Sequence, residues 1–120
     1  MNRVLVLTAG ESLTDYEGYA IKLDGSGNAV KATAVTDEVI GILQKGAASG
    51  SDVEVVIFGD ALVRVSGTVK RGQFVAPAAA ATCTAGKADN SVFCGMYLQN
   101  GVSGDLVPAF VFPSIYHEVS

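Results

Sequence analysis

Tryptophan is absent, and 120 residues hold one histidine, two cysteines and three prolines. Charge is scarce too, at 17% of residues, with 8 Lys and Arg against 12 Asp and Glu and a net of −4. Each shortage excludes something. Affinity for nucleic acid is built from clustered Lys and Arg, so no nucleic-acid partner is expected. No apolar run approaches the ~20 residues of a membrane-spanning helix, so no membrane partner is expected. There is no CxxC, and no histidine lies near either cysteine, so a zinc site lacks ligands and no cofactor is expected. Cys83 and Cys94 read as two reduced, partly buried thiols. A disulfide between them stays open, but one pair is no disulfide scaffold.

What the chain has is apolar residues, 49% of the total, and 14 glycines. That content is too high for a disordered chain. The start, Met1-Asn2-Arg3-Val4-Leu5-Val6-Leu7-Thr8, has four consecutive apolar residues. A secretory signal needs at least ~7, so the segment reads as part of a mature protein made and kept in a cytoplasm. The one helix candidate, Ala76–Ala81, is short and equally a loop or a small-residue strand.

Strand patterns are frequent: Val4–Leu7, Tyr19–Leu23, Ala29–Ala34, Val39–Leu43, Val53–Phe58, Ala61–Val65, Gln73–Val75, Val92–Leu98 and Leu106–Phe112. Turn chemistry separates them, as in Asp24-Gly25-Ser26-Gly27-Asn28 and Asn100-Gly101. Short strands at this spacing predict an all-β sandwich or barrel.

An internal repeat narrows this. Gly18-Tyr19-Ala20-Ile21 answers to Gly72-Gln73-Phe74-Val75, and Val39-Ile40-Gly41-Ile42-Leu43 to Phe93-Cys94-Gly95-Met96-Tyr97, both 54 positions on. Ser49-Gly50-Ser51-Asp52-Val53 answers to Ser103-Gly104-Asp105-Leu106 if one residue is deleted, pairing Asp52 with Asp105. Two copies are too few for a solenoid. The expectation is a single β domain over residues 1–120, a small barrel of two pseudo-symmetric repeats, 18–58 and 72–112. Residues 1–8 fall outside them as an extended N-terminal arm. That arm has two readings: an edge strand of its own sheet, or a strand added to a partner.

Chemistry is thin. His117, near the C-terminus, lacks the fixed partner a general base needs and reads as a solvated or interface histidine. No GxSxG elbow occurs. The carboxylates Asp24, Asp37, Glu38, Asp52, Asp60, Asp89 and Asp105 read as sitting in turns, where Asp bonds its own backbone. Gly25-Ser26-Gly27-Asn28 lacks the Lys-Ser/Thr of a phosphate loop and reads as a hairpin turn. Lys70-Arg71 reads as a solvated turn. No catalytic residue, metal ligand or enzymatic activity is expected.

Taken together, Thr8-Ala9-Gly10-Glu11-Ser12-Leu13, the stretch Tyr19–Gly27, Val39–Leu43, Ala47–Val55, Gly72–Val75, Gly95-Met96-Tyr97 and Ser103–Val107 resemble the tailed-bacteriophage capsid cement, or head decoration, proteins. The resemblance spans Thr8 to Phe112. It departs at Gly86-Lys87-Ala88, where the family tends to carry Asp-Gly-Lys, in the Ala78–Ala81 run and in the two cysteines. It implies a non-enzymatic virion protein, made in the bacterial host cytoplasm and resident on the capsid exterior. Such a protein binds the major capsid protein where capsomers meet and stabilises the shell against internal DNA pressure. It implies a homotrimer, or alternatively a homodimer. The capsid-binding arm maps to Asn2, Arg3, Val4, Leu5, Val6 and Leu7, and self-association to Phe110, Phe112, Ile115 and Tyr116. Deleting Met1–Leu7 is expected to leave a folded chain that no longer binds capsids. The competing readings are a carbohydrate- or host-surface-binding β module, disfavoured by the lack of Trp, and a small hydrolase or lyase using His117 or Asp52.

Overall fold

The computed structural model describes residues 3–32, 39–77, 83–85 and 91–117, with the side chains of 77, 84–85, 91–94 and 113–117 outside that description. Nine strands occur among them: β1 (Arg3–Thr8), β2 (Ala20–Leu23), β3 (Ala29–Lys31), β4 (Gly41–Lys45), β5 (Asp52–Arg64), β6 (Phe74–Pro77), β7 (Cys83–Ala85), β8 (Ser91–Tyr97) and β9 (Leu106–His117). All strand pairing between them is antiparallel. The sheet runs β3-β2-β4-β5-β9-β8-β6-β7, with β1 also on β5, and curls into a half-barrel. The protein is all-β, with β3 and β7 at the two ends of the sheet.

Two of the expected strands, Val53–Phe58 and Ala61–Val65, are one continuous strand. Gly59 takes φ +117° in the middle of β5, so the chain bends there instead of turning back. The first part of β5 pairs with β1 and β4, and the second part with β9. The alanine run from Ala78 lies outside the described residues, whereas Ala76 and Pro77 belong to β6. The pairing of the two cysteines also falls outside them; Cys83 is buried in β7, a strand of small residues that patterning did not suggest.

The pairing register repeats. Ala20↔Ile42 and Ile21↔Gly41 recur as Phe74↔Met96 and Val75↔Gly95. Leu23↔Ala29 recurs as Pro77↔Cys83, and Ile42↔Val56 as Met96↔Phe110. Each partner lies 54 positions on. The turn glycines follow: Gly50 and Gly104, φ +86° and +92°, precede β5 and β9. No deletion is therefore needed. Asp52 corresponds to Leu106, and Asp105 to Ser51.

The N-terminus is part of this plan. Thr8↔Asp52, Leu7↔Val53 and Val6↔Glu54 recur as Arg64↔Leu106, Val63↔Val107 and Leu62↔Pro108. β1 is thus the counterpart of the second part of β5, 56 positions earlier. Loop bonds agree: Leu13 N–H donates to Ala47 O at 2.8 Å, and Val69 N–H to Gly101 O at 2.9 Å. Arg3–Thr8 is an edge strand of the chain's own sheet, and the first strand of a five-stranded unit, β1-β5-β4-β2-β3. The second unit is β5-β9-β8-β6-β7. One strand serves both.

Two apolar clusters fill the units. Ile21, Leu43, Val53 and Val55 form the first with Ala9, Leu13 and Ala29. Their counterparts Val75, Tyr97, Val107 and Ala109 form the second with Val63, Val65, Val69 and Cys83. The second cluster also takes in Ala20, Ile42 and Val56, which point away from the first. The outer face of unit one is thereby buried with the core of unit two. That arrangement exploits the alternation of side chains across a strand, which gives each sheet two faces to bury.

Candidate functional site

The turns hold their own polar groups. Asp24 Oδ1 accepts from Ser26 N–H at 2.8 Å and Asn28 N–H at 2.9 Å, closing the β2–β3 hairpin. Glu11 Oε2 accepts from Lys31 N–H at 2.8 Å, and Glu17 Oε2 from Gly46 N–H at 2.9 Å. In the Lys70-Arg71 turn, Lys70 N–H donates to Gln73 Oε1 and Arg71 N–H to Asn100 Oδ1. Asp52 stands opposite Thr8 at the exposed end of the β1–β5 pair. Among the described residues no three His, Cys, Asp or Glu side chains gather as metal ligands. A cleft of about 250 Å³ opens beside the β5 bend, lined by Glu17, Leu43, Val56, Asp60, Leu62 and Leu106 among others.

The conspicuous surface is apolar and lies outward on unit two. Antiparallel partners directly opposite share a face. One cross-strand row is therefore Phe74, Met96, Phe110 and Asp60. The next holds Leu98, Pro108 and Leu62, with Leu98 N–H donating to Pro108 O at 2.9 Å. Leu106 and Arg64 follow. Phe58 sets its ring edge-on to Phe110, centroids 5.2 Å apart at 80°. Phe74 is 47% exposed, Met96 37% and Leu62 52%. Exposed apolar patches of several hundred Å² on a small domain mark interaction sites.

The same row in unit one is different. Ala20 and Ile42 are 0% exposed and Val56 2%, because unit two covers them. On the rest of that face Gln44 and Asp52 are exposed and Glu54 half-buried, while Val4 and Val6 of β1 are apolar and exposed. The counterparts of Gln44, Asp52 and Glu54 in unit two are Leu98, Leu106 and Pro108. Unit two thus has leucine at two exposed positions where unit one is polar, and Asp60 where unit one has exposed Val4.

Of the residues the sequence nominated, Phe110 lies in this face. Phe112 is half-buried in β9, whose course is interrupted by a register shift opposite Phe93/Gly95. Ile115 and Tyr116 pair with Phe93 and Val92, and His117 with Ser91; their side chains lie outside the described residues. Asn2 lies outside them altogether. Arg3, Val4, Leu5 and Val6 are exposed on β1, and Leu7 packs on the unit-one core. Phe58, Leu62, Phe74, Met96, Leu98 and Leu106 were not nominated. The comparison of the two repeats position by position finds Phe74, Met96, Leu98 and Leu106, which answer to Ala20, Ile42, Gln44 and Asp52, but not Phe58 or Leu62, whose counterparts are apolar as well.

No known protein family matches the sequence, and no curated protein matches it. Among solved structures, the chain is similar to the N base of the head fiber gp8.5 of bacteriophage phi29, with a TM-score of 0.67 at 14% identity over 92% of this chain and 94% of that one. That protein is a head fiber base, and at that identity the likeness is one of fold: the fold is one used by a phage head-associated protein.

Proposed function

We propose that the chain is a non-enzymatic structural protein of a phage virion, which binds the outside of the head at capsomer junctions and stabilises it against internal DNA pressure. The observation that supports it is the likeness to a head fiber base over nearly the whole of both chains. The mechanism is multivalent clamping. A shell under outward pressure fails where capsomers separate. A protein touching several capsid subunits resists this, because each further contact is effectively intramolecular.

β1 is the part proposed to meet the major capsid protein, through exposed side chains and its outer edge. Among the described residues β1 pairs with β5 alone. A bare, apolar edge strand is an aggregation hazard unless something covers it. Because β1 is an integral strand, removing Met1–Leu7 would strip β5 and the unit-one core, and does not isolate binding. A point change does. Val6 is 63% exposed, so Val6→Lys is expected to leave the melting temperature nearly unchanged, as surface substitutions do. Its affinity for capsids should fall about tenfold. Unaltered capsid binding by that variant would remove β1 from the interface. As for the glycan-binding alternative, the ring of Tyr16 already carries Lys31 Nζ 3.9 Å from its centroid, so it is not an open stacking platform.

The direct test is quantitative mass spectrometry of purified virions from the source of the chain. A fixed, simple ratio of this chain to the major capsid protein is the expected result. Absence from the particles would sink the reading.

A further inference from the structure

The two units tie the same pair of positions together by opposite means. In unit one the Glu17 carboxylate accepts from Gly46 N–H at 2.9 Å. Arg71 and Asn100 are the counterparts, 54 positions on. There the roles are reversed: Arg71 N–H donates to Asn100 Oδ1 at 2.9 Å. The following residue is fixed in both units as well. Leu13 N–H donates to Ala47 O in unit one. In unit two Val69 and Gly101 exchange two bonds, Val69 N–H to Gly101 O at 2.9 Å and Gly101 N–H to Val69 O at 3.0 Å. A Cβ on Gly101 would run into Val107, so that position takes glycine. The fold thus sets an asparagine directly before a glycine in unit two, where unit one has Gly46 before Ala47.

Asparagine before glycine is a reactive pair. Gly101 N can attack Asn100 Cγ, with no Cβ on the glycine to obstruct it. A C–N bond forms, the Cγ–Nδ2 bond breaks, and Nδ2 leaves as ammonia with the proton from Gly101 N. Water then opens the five-membered imide at either carbonyl, giving aspartate or isoaspartate; the net change is NH3 out and H2O in. Asn100 is exposed, so water reaches it. In the closed loop both reacting groups are engaged, the Gly101 N–H by Val69 O and the Asn100 amide oxygen by Arg71 N–H. We propose that Asn100 is a self-modification site of the chain, held latent by the unit-two loop and converted when that loop opens. The isoaspartate branch puts an extra methylene into the main chain at the Val69–Gly101 bridge. A transient opening then becomes a permanent one.

The test is peptide mapping by mass spectrometry of the full-length chain kept in mildly alkaline buffer, reading the fraction of Asn100 that has exchanged NH3 for H2O. The native chain is expected to convert at least ~tenfold more slowly than the same chain in urea, because reaction requires local opening. Arg71→Pro isolates the gate. Gln73 N–H donates to Lys70 O at 3.0 Å and Gly72 takes φ +92°, so Arg71 occupies the turn position of type II geometry where proline fits. The substitution removes the N–H that holds Asn100 Oδ1 and leaves the Asn100-Gly101 pair intact. With an unchanged circular dichroism spectrum, it should speed conversion of the native chain about threefold, in line with the loss of one hydrogen bond. A native chain that converts as fast as the unfolded one, or a folded Arg71→Pro chain as slow as the wild type, would overturn the proposal. Should Arg71→Pro fail to fold, the comparison of native with urea-unfolded chain decides. Neither measurement involves a capsid, so the capsid reading stands or falls apart from it.

Discussion

Replacing Tyr97 by alanine is expected to lower the unfolding free energy by about 3–5 kcal/mol, the range for removing a large buried aromatic side chain. Tyr97 is fully buried, and it is the largest such side chain among the described residues. It sits at the centre of the second core, where unit one has Leu43. Its backbone bonds, Tyr97 N–H to Gln73 O and Gly72 N–H to Tyr97 O, both 2.8 Å, survive the change. The loss is therefore in the side chain: the packing of the ring and the hydrogen bond of its buried hydroxyl, since among the described residues no buried side-chain oxygen lacks a partner. Against the ~5–15 kcal/mol of an ordinary domain it is a large fraction. A thermal melt should show the midpoint roughly 10–20 °C lower. Tyr97→Leu, which restores the unit-one residue, should lose clearly less. Equal losses from the two variants would mean that the cores are not equivalent.

Gly41→Ala is the second large effect. A Cβ at Gly41 would run into the carbonyl oxygen of Val56 and press on Val55. Gly95, its counterpart, faces the carbonyl of Phe110 in the same way. The obstacle is backbone on the neighbouring strand, so relief requires β4 and β5 to part. About 3 kcal/mol of destabilisation is expected at either position, at the upper end for overpacking. Gly25→Ala is the control. It meets nothing within 4 Å, and the same methyl group there should be neutral or slightly stabilising. Denaturant melts of the three variants check this; a Gly41→Ala chain as stable as Gly25→Ala would mean the strands are not so close.

These glycines also show what was legible beforehand. Gly41 and Gly95 were visible as a matched pair because a glycine inside an apolar run stands out, and the close approach is why both are glycine. Two other correspondences were hidden. Asp52 and Asp105 look alike as letters, yet register pairs Asp52 with Leu106, because turn residues match by backbone conformation and not by side chain. Arg3–Thr8 and Gly59–Arg64 share only a short apolar run, at a spacing of 56 instead of 54, so β1 looked like an addition to the repeat. β5 read as two strands because Gly59 resembles a turn residue, and only its conformation shows a bend. In the candidate site, Phe110 stood out as an aromatic. Met96, Leu98 and Leu106 did not, because an apolar residue in a strand reads the same whether it faces a core or solvent. Their exposure became informative only beside Gln44 and Asp52.

The strand common to both units has a consequence for synthesis on the ribosome. Once Asp52–Phe58 have emerged, β1 to β5 can pair and close the first core. The same strand then carries Gly59–Arg64 out of that finished sheet, with its edge toward β9 empty. β9 lies far along the chain. At ~5–20 residues per second, the stretch from Val65 to Val111 takes roughly 2–9 s to appear. For that interval the nascent chain is expected to present the first unit with a pairing edge and the still unroofed side chains of Ala20, Ile42 and Val56. The shared strand thus predicts that the first half acts as a template onto which the second is built in the order in which it is translated.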